Sequence, residues 1–242
     1  MAAANTTLRV PYPTYDTSQL TADIESMNRR GLRWLRTGDR VVVLVDENGV
    51  LRDIGFNSVP FNALKANFPV IKRAAAASKL RRITTVIVSA PADGLQELLT
   101  LLEDTITTAW RQNLPHPEET PLYTYNQIGE AAHGLGRNSL AELTVLRANR
   151  ILDRDLRERV VNISAADVRA IYGNLAADHT LRQAVSSSIA RGIIAKRIAN
   201  SKELREVEEE IQEFKDELQS RKQAWSAKKK AGEDIRVPSN TY

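Results

Sequence analysis

The sequence predicts an α/β (α+β) fold: a small three-stranded sheet with a helical cluster, followed by helices and a C-terminal coiled-coil helix. Three observations predict it. Residues 41–45 and 50–56 are β-rich runs separated by Asp46-Glu47-Asn48-Gly49, and Asn-Gly is a strong hairpin signal. A third β-rich run, 83–89, follows an Ala-rich helical stretch, and nearly everything beyond it has helical spacing. Finally, Leu204, Val207, Ile211, Phe214, Leu218 and Trp225 repeat at mostly three-, four- and seven-residue steps within a highly charged segment. That spacing makes a narrow apolar seam, which a second helix must cover, from another subunit or from the body of the same chain.

Taken in order, residues 1–17 are small, polar and without periodicity, and read as a flexible arm. Ser18 can cap a helix whose Leu20, Ile24 and Met27, then Leu32, Trp34 and Leu35, suggest one buried face interrupted around Gly31. Thr37-Gly38-Asp39 turns the chain into the hairpin. Residues 61–80 read as helical but divided by Pro69. Pro91 opens a long helix with the stripe Leu95, Leu98, Leu99, Leu102 and Ile106, ended by Pro115-His116-Pro117. Helices over 123–134 and 139–152 share a Gly-containing turn. Ser164-Ala-Ala-Asp167 resembles a capping box and starts a helix through Tyr172, while Asp178 can cap another to about Ala199. The chain therefore divides into an arm (1–17), a domain (18–152), a helical extension (153–200), a heptad helix (201–231) and a flexible tail (232–242).

With 242 residues, 42% of them hydrophobic, the chain can build one or two domains with a true core. The absence of cysteine excludes disulfides, thiolate metal sites and a cysteine nucleophile, and makes an intracellular location, nuclear or cytoplasmic, the expectation. No run is apolar enough for a signal peptide or a membrane span. A net charge of +4 is too small an excess to carry a nucleic-acid reading by itself.

Catalytic patterns are missing. His116, His133 and His179 are scattered, with no His-x-x-x-His pair, and read as surface or packing residues rather than metal ligands. No Gly-x-Ser-x-Gly elbow is present. Asp153 and Asp155 flank Arg154 as a solvated charge pattern. Gly134-Leu135-Gly136 lacks a third glycine and follows a helix rather than a strand, so it does not cradle phosphate. No catalytic, cofactor-binding or metal residue is assigned, no cofactor is expected, and the chain reads as a non-enzyme.

The stretch Leu35-Arg-Thr-Gly-Asp39-Arg-Val-Val-Val-Leu-Val45, the hairpin after it, then Val59-Pro60-Phe61-Asn62-Ala63-Leu64 and Asn67-Phe68-Pro69-Val70-Ile71, resemble a BTB/POZ domain of the divergent kind abundant in fungi. Leu64 and Pro69 match that family's spacing. Pro60 stands where His is usual, Phe68 where Ser is usual, and Val70-Ile71 replace an aromatic pair. The stretch 87–102 resembles the third strand and its following helix, and 135–140 the turn of a helical hairpin, with Leu135 in place of the usual Tyr. Ile163-Ser164 through Ile171-Tyr172, and Leu181-Arg182, resemble the helices that follow the domain in fungal members, so the likeness covers roughly residues 35–195. It implies a self-associating interaction module, in some members an adaptor for a cullin-type ubiquitin ligase. Ala90-Pro91-Ala92-Asp93 is a poor substitute for the hydrophobic-x-Glu element of that contact, which weakens the cullin expectation.

Two features suggest partners. The heptad seam suggests a homodimer, with the domain and the last helix together setting self-association. Lys65, Lys72, Arg73, Lys79, Arg81 and Arg82 form a basic cluster with no acidic residue among 65–82; a solvated face explains it, and an acidic protein partner or a nucleic-acid backbone is the ligand it would take. A second basic group, Arg29, Arg30, Arg33 and Arg36, lies near the first helix. Lys228-Lys229-Lys230 reads as a nuclear signal or as the complement of a helix dipole. The alternative function is a DNA-binding regulator that uses the 128–150 hairpin, with Arg137, Arg147 and Arg150 as its cations. In that register Glu142 falls where an apolar side chain is normally buried, so nucleic acid is the less favoured partner.

Overall fold

A computed structural model describes residues 6–17, 19–47, 49–80, 82–110, 114, 121–158, 163–175, 179–196 and 202–232. The chain divides into two units, 1–116 with 124–145, and 117–123 with 146–242.

The first unit is built on a mixed sheet. Strand β1 (Thr7–Val10) alternates exposed Thr7 and Arg9 with buried Leu8 and Val10. It runs parallel to β5 (Thr85–Val88), Thr7 opposite Thr85 and Val10 opposite Val88. Part of the expected flexible arm is therefore an edge strand. Its period-two pattern is only four residues long, and its partner lies far along the chain, so nothing local marks it.

Strand β2 (Arg40–Glu47) lies parallel to β5 on one side and antiparallel to β3 (Val50–Asp53) on the other, in the order β1-β5-β2-β3. The short β4 (Val59–Pro60) pairs with the start of β2, so the sheet has five strands rather than the expected three. Val41, Val43 and Val45 occupy alternate positions of β2 and are buried, as are Val86, Ile87 and Val88 of β5. At the hairpin Gly49 takes φ +86°, and Asp46 Oδ1 accepts its N–H at 2.9 Å. A left-handed residue is what a tight hairpin turn needs, so glycine fits there.

The helix expected from Ser18 is not continuous, and Ser18 itself lies outside the described residues. A 3-10 turn (Asp23–Glu25) precedes α1 (Arg29–Trp34), whose N-cap Asn28 is extended and accepts the Gly31 N–H at 3.0 Å. An Asx residue that bonds its own downstream backbone starts a new helix instead of prolonging an old one. The Pro69 division is present: α2 (Phe61–Asn67) and α3 (Pro69–Ala77) are separated by extended Phe68, with Pro69 at the first helical position. Helix α4 (Ala92–Thr108) buries all five residues of its expected stripe.

Helix α5 (Leu122–Gly134) and α6 (Asn138–Glu158) are joined through Gly136 at φ +77°. Helix α6 continues past residue 152, so the domain boundary expected there falls inside a helix. Among the described residues no helix is long and apolar enough to cross a membrane.

The second unit is helical. The capping box at α7 (Ala165–Asn174) is complete: Ser164 Oγ accepts the Asp167 N–H at 3.0 Å and Asp167 Oδ2 accepts the Ser164 N–H at 3.1 Å. Helix α8 (Thr180–Ile194) is capped by His179, whose Nδ1 accepts the Leu181 N–H at 3.2 Å, while the expected cap Asp178 lies outside the described residues. The expected single heptad helix is two helices, α9 (Lys202–Glu210) and α10 (Gln212–Lys230), parted by Ile211 in extended backbone. Helix α9 packs on α7 and α10 packs on α8, and Phe214 meets the Tyr172 ring edge-on at 5.1 Å. The tail expected over 232–242 lies outside the described residues apart from Gly232.

Arg182 ties this unit together. It is 3% exposed, donates to Glu213, to Glu217 at 3.2 Å and to the Leu175 carbonyl at 3.4 Å, and lies 4.3 Å over the Tyr172 ring. The Tyr172 hydroxyl donates to Glu217 Oε2 at 2.6 Å. Burial, reinforced by that bond, raises the Tyr172 pKa far above its ordinary value. The folded state thus keeps a proton that the unfolded chain releases near pH 10, so this contribution to stability is full below about pH 10 and is lost as pH rises through the raised value. Tyr172→Phe is expected to flatten the alkaline limb of a stability–pH curve and to cost about 1 kcal/mol at neutral pH through the lost hydrogen bond. Chemical denaturation from neutral to strongly alkaline pH tests this; parallel limbs for the two proteins would refute it.

Candidate functional site

The seam residues are covered by their own chain. Leu204 is 7% exposed, Val207, Phe214 and Leu218 are fully buried, and Ile211 and Trp225 are half-buried. Trp225 Nε1 donates to Ser187 Oγ at 3.3 Å, and Arg191 and Lys228 lie over its ring at 5.4 and 4.9 Å. Of the two covers the spacing allows, the structure has the one from within the chain.

Among the described residues the cations of the basic cluster meet different partners. Lys72 is neutralised by Asp23, with Nζ at 2.9 and 2.8 Å from its two oxygens. Arg73 lies over the Tyr15 ring at 4.3 Å, and Lys65 over Phe61 at 4.9 Å. Lys79 and Arg82 are exposed, and Arg81 lies outside the described residues.

Three of these cations, Lys65, Lys72 and Arg82, instead rim a groove of about 510 Å³ in the first unit. Its apolar lining comes from Met27 and Trp34, from Phe61 at the start of α2, and from Leu80 after α3. The fold fixes these walls locally. Phe61 N–H donates to the Asp39 carbonyl at 2.8 Å, which ties the start of α2 to the turn before β2. In that turn Gly38 has φ +107°, and a Cβ there would meet Asn62 Nδ2 at 2.8 Å.

Charge in the groove is uneven. Asp23 and Asp39 also line it, but Asp23 is held by Lys72, while Lys65 and Arg82 hold no ion pair among the described residues. Trp34 is 59% exposed and Leu80 38%. The expectation that Trp34 lies on the buried face of its helix is therefore corrected. Consecutive helical residues point about 100° apart, and Leu35, fully buried, takes the inward direction. Periodicity could have signalled this, since one narrow face cannot hold both residues.

The 128–150 hairpin turns its leading cation inward. Arg137 has only 13% of its side chain exposed, donates to Asn67 Oδ1 and pairs with Glu25 at 3.4 Å. Glu142, Leu143 and Val145 are exposed, so that stretch of α6 presents apolar and acidic groups. Glu142 is therefore not the buried carboxylate that the helix-turn-helix register implies. Arg147 is half-buried, and the Arg150 side chain lies outside the described residues.

Of the histidines, His133 Nδ1 lies 3.5 Å from the Tyr12 hydroxyl and His179 serves as a helix cap, while His116 lies outside the described residues. Among the described residues no group of three His, Cys, Asp or Glu could hold a metal ion. Comparison with protein families, curated proteins and solved structures finds no match to this chain.

Proposed function

We propose that this chain is a non-enzymatic protein–protein interaction module that self-associates and scaffolds or adapts other proteins. The observation that carries the reading is the groove of the first unit, where an exposed tryptophan is joined by Lys65 and Arg82, which hold no ion pair among the described residues. Binding sites are typically concave and lined mainly by apolar and aromatic side chains with a few polar groups. The order of elements lends support: a hairpin, two helices divided at Pro69, a later strand and then helices follow one another as the BTB/POZ resemblance implies. With the C-terminal seam closed internally, self-association is assigned to the first unit.

Light scattering on the full chain over a range of concentrations tests the self-association. A mass of twice 27.0 kDa at micromolar concentration is the expected result. A mass of one chain throughout would overturn it.

A further inference from the structure

We propose that the groove of the first unit binds an acidic peptide segment of another protein through one large apolar side chain, with flanking carboxylates on Lys65 and Arg82. This rests on the reading of the chain as an interaction module and names the chemistry of its partner.

Size is the first argument. A volume of about 510 Å³ lies within the range of sites that hold a small ligand or one or two side chains of a peptide. Shape and chemistry of the lining come next. Trp34 and Leu80, each well exposed, and Phe61 offer apolar walls to one inserted side chain. A buried aromatic or aliphatic anchor is the usual source of affinity in peptide recognition.

Charge complementarity decides the rest. The groove's lining carries three cations, Lys65, Lys72 and Arg82, against two carboxylates, Asp23 and Asp39. Within the lining, Asp23 and Lys72 cancel, which leaves Lys65 and Arg82 against Asp39. Lys65 lines the groove with its ammonium 4.9 Å over the Phe61 ring, where it can meet a carboxylate beside an inserted side chain. Arg30 and Arg33, exposed on the helix that carries Trp34, and Lys79 beside Leu80 add positive charge to the elements that line the groove. Asp39, itself exposed, can accept a peptide backbone N–H. A peptide can place its carboxylates around these two acidic groups. A nucleic-acid backbone carries charge at every phosphate and would set one of them against Asp39.

The test uses the full-length chain as bait for a random peptide library displayed on phage, with Trp34→Ala as the counter-selection bait. Recovered peptides are expected to place Asp or Glu on both sides of one aromatic or Leu residue. Synthetic versions, followed by fluorescence anisotropy, should bind about tenfold more weakly to Trp34→Ala and to Lys65→Glu/Arg82→Glu, and more weakly as salt rises. Trp34 and Arg82 are exposed and Lys65 half-buried, so these variants should keep the wild-type circular dichroism and melting temperature; a variant that loses them is replaced by Trp34→Gln or Lys65→Ser. Failure to enrich any peptide, enrichment of basic peptides, equal binding to the variants, or displacement of the peptides by single-stranded oligonucleotide would each overturn the proposal. So would a dimer that Trp34→Ala converts to monomer, because the groove would then hold a second copy. A dimer that forms without peptide binding keeps the interaction-module reading and removes this inference alone.

Discussion

Leu218→Asp is expected to destabilise the C-terminal helical unit by about 4 kcal/mol, the cost of placing an unpaired carboxylate where no water reaches. Leu218 is fully buried on α10, one helical turn from Phe214, which is also fully buried and meets Tyr172 of α7. Because the cover comes from the same chain, the loss should not depend on protein concentration. A seam between subunits would behave otherwise, its stability rising with concentration by mass action. Urea denaturation at two widely separated concentrations distinguishes the cases.

Ile211→Asp, a change in the same seam, should be nearly neutral. Ile211 is half-buried, so its loss costs about 1 kcal/mol. Ile211 is also the N-cap of α10, in extended backbone and with no side-chain cap. Asp is among the preferred residues there and returns about 1 kcal/mol. In a continuous heptad helix Ile211 would be a seam residue like Leu218, and both changes would be severe. Equal and large losses would refute the broken-helix arrangement.

Gly94→Ala is expected to cost about 3 kcal/mol, although Ala is the better helix former by about 1 kcal/mol. Gly94 lies in the first turn of α4, facing α5. A Cβ built there would stand 2.0 Å from the Gln127 carbonyl oxygen and 2.4 Å from its carbon. Both obstructing atoms are backbone, so no side-chain rotation relieves the clash and the helices must part. Gly173→Ala in α7 is the matched control: nothing lies within 4 Å of its built Cβ. That change should stabilise by about 0.5 kcal/mol. If the two glycines respond alike in thermal and urea denaturation, the close approach of α4 to α5 is not what Gly94 serves.

The groove shows how a site escapes sequence reading. Its basic residues are legible as a cluster, but a charge run looks the same whether it solvates a helix or rims a cavity. What separates the two is the fate of each cation. Lys72 is spent on Asp23, far away in sequence, and Arg73 rests on Tyr15 in a segment that local pattern assigns to a flexible arm. Trp34 reads as core because it neighbours Leu35 in an apolar run. Only the packing of Leu35 into the interior turns Trp34 outward.

The sequence by itself determined the features that depend on near neighbours. These are the hairpin at Gly49, the division of α2 from α3 at Pro69, the stripe of α4 and the capping box of α7, each written in turn chemistry or in a short hydrophobic period. Tertiary structure alone decided that Thr7–Val10 joins the sheet, that Ile211 breaks the last helix, and that α7 and α8 cover the seam. The reason is physical: a periodic pattern shows that a face must be buried, because exposed apolar area is costly, but it carries no label for the surface that buries it. That choice belongs to contacts between residues far apart in the chain, where the cover that fits best wins.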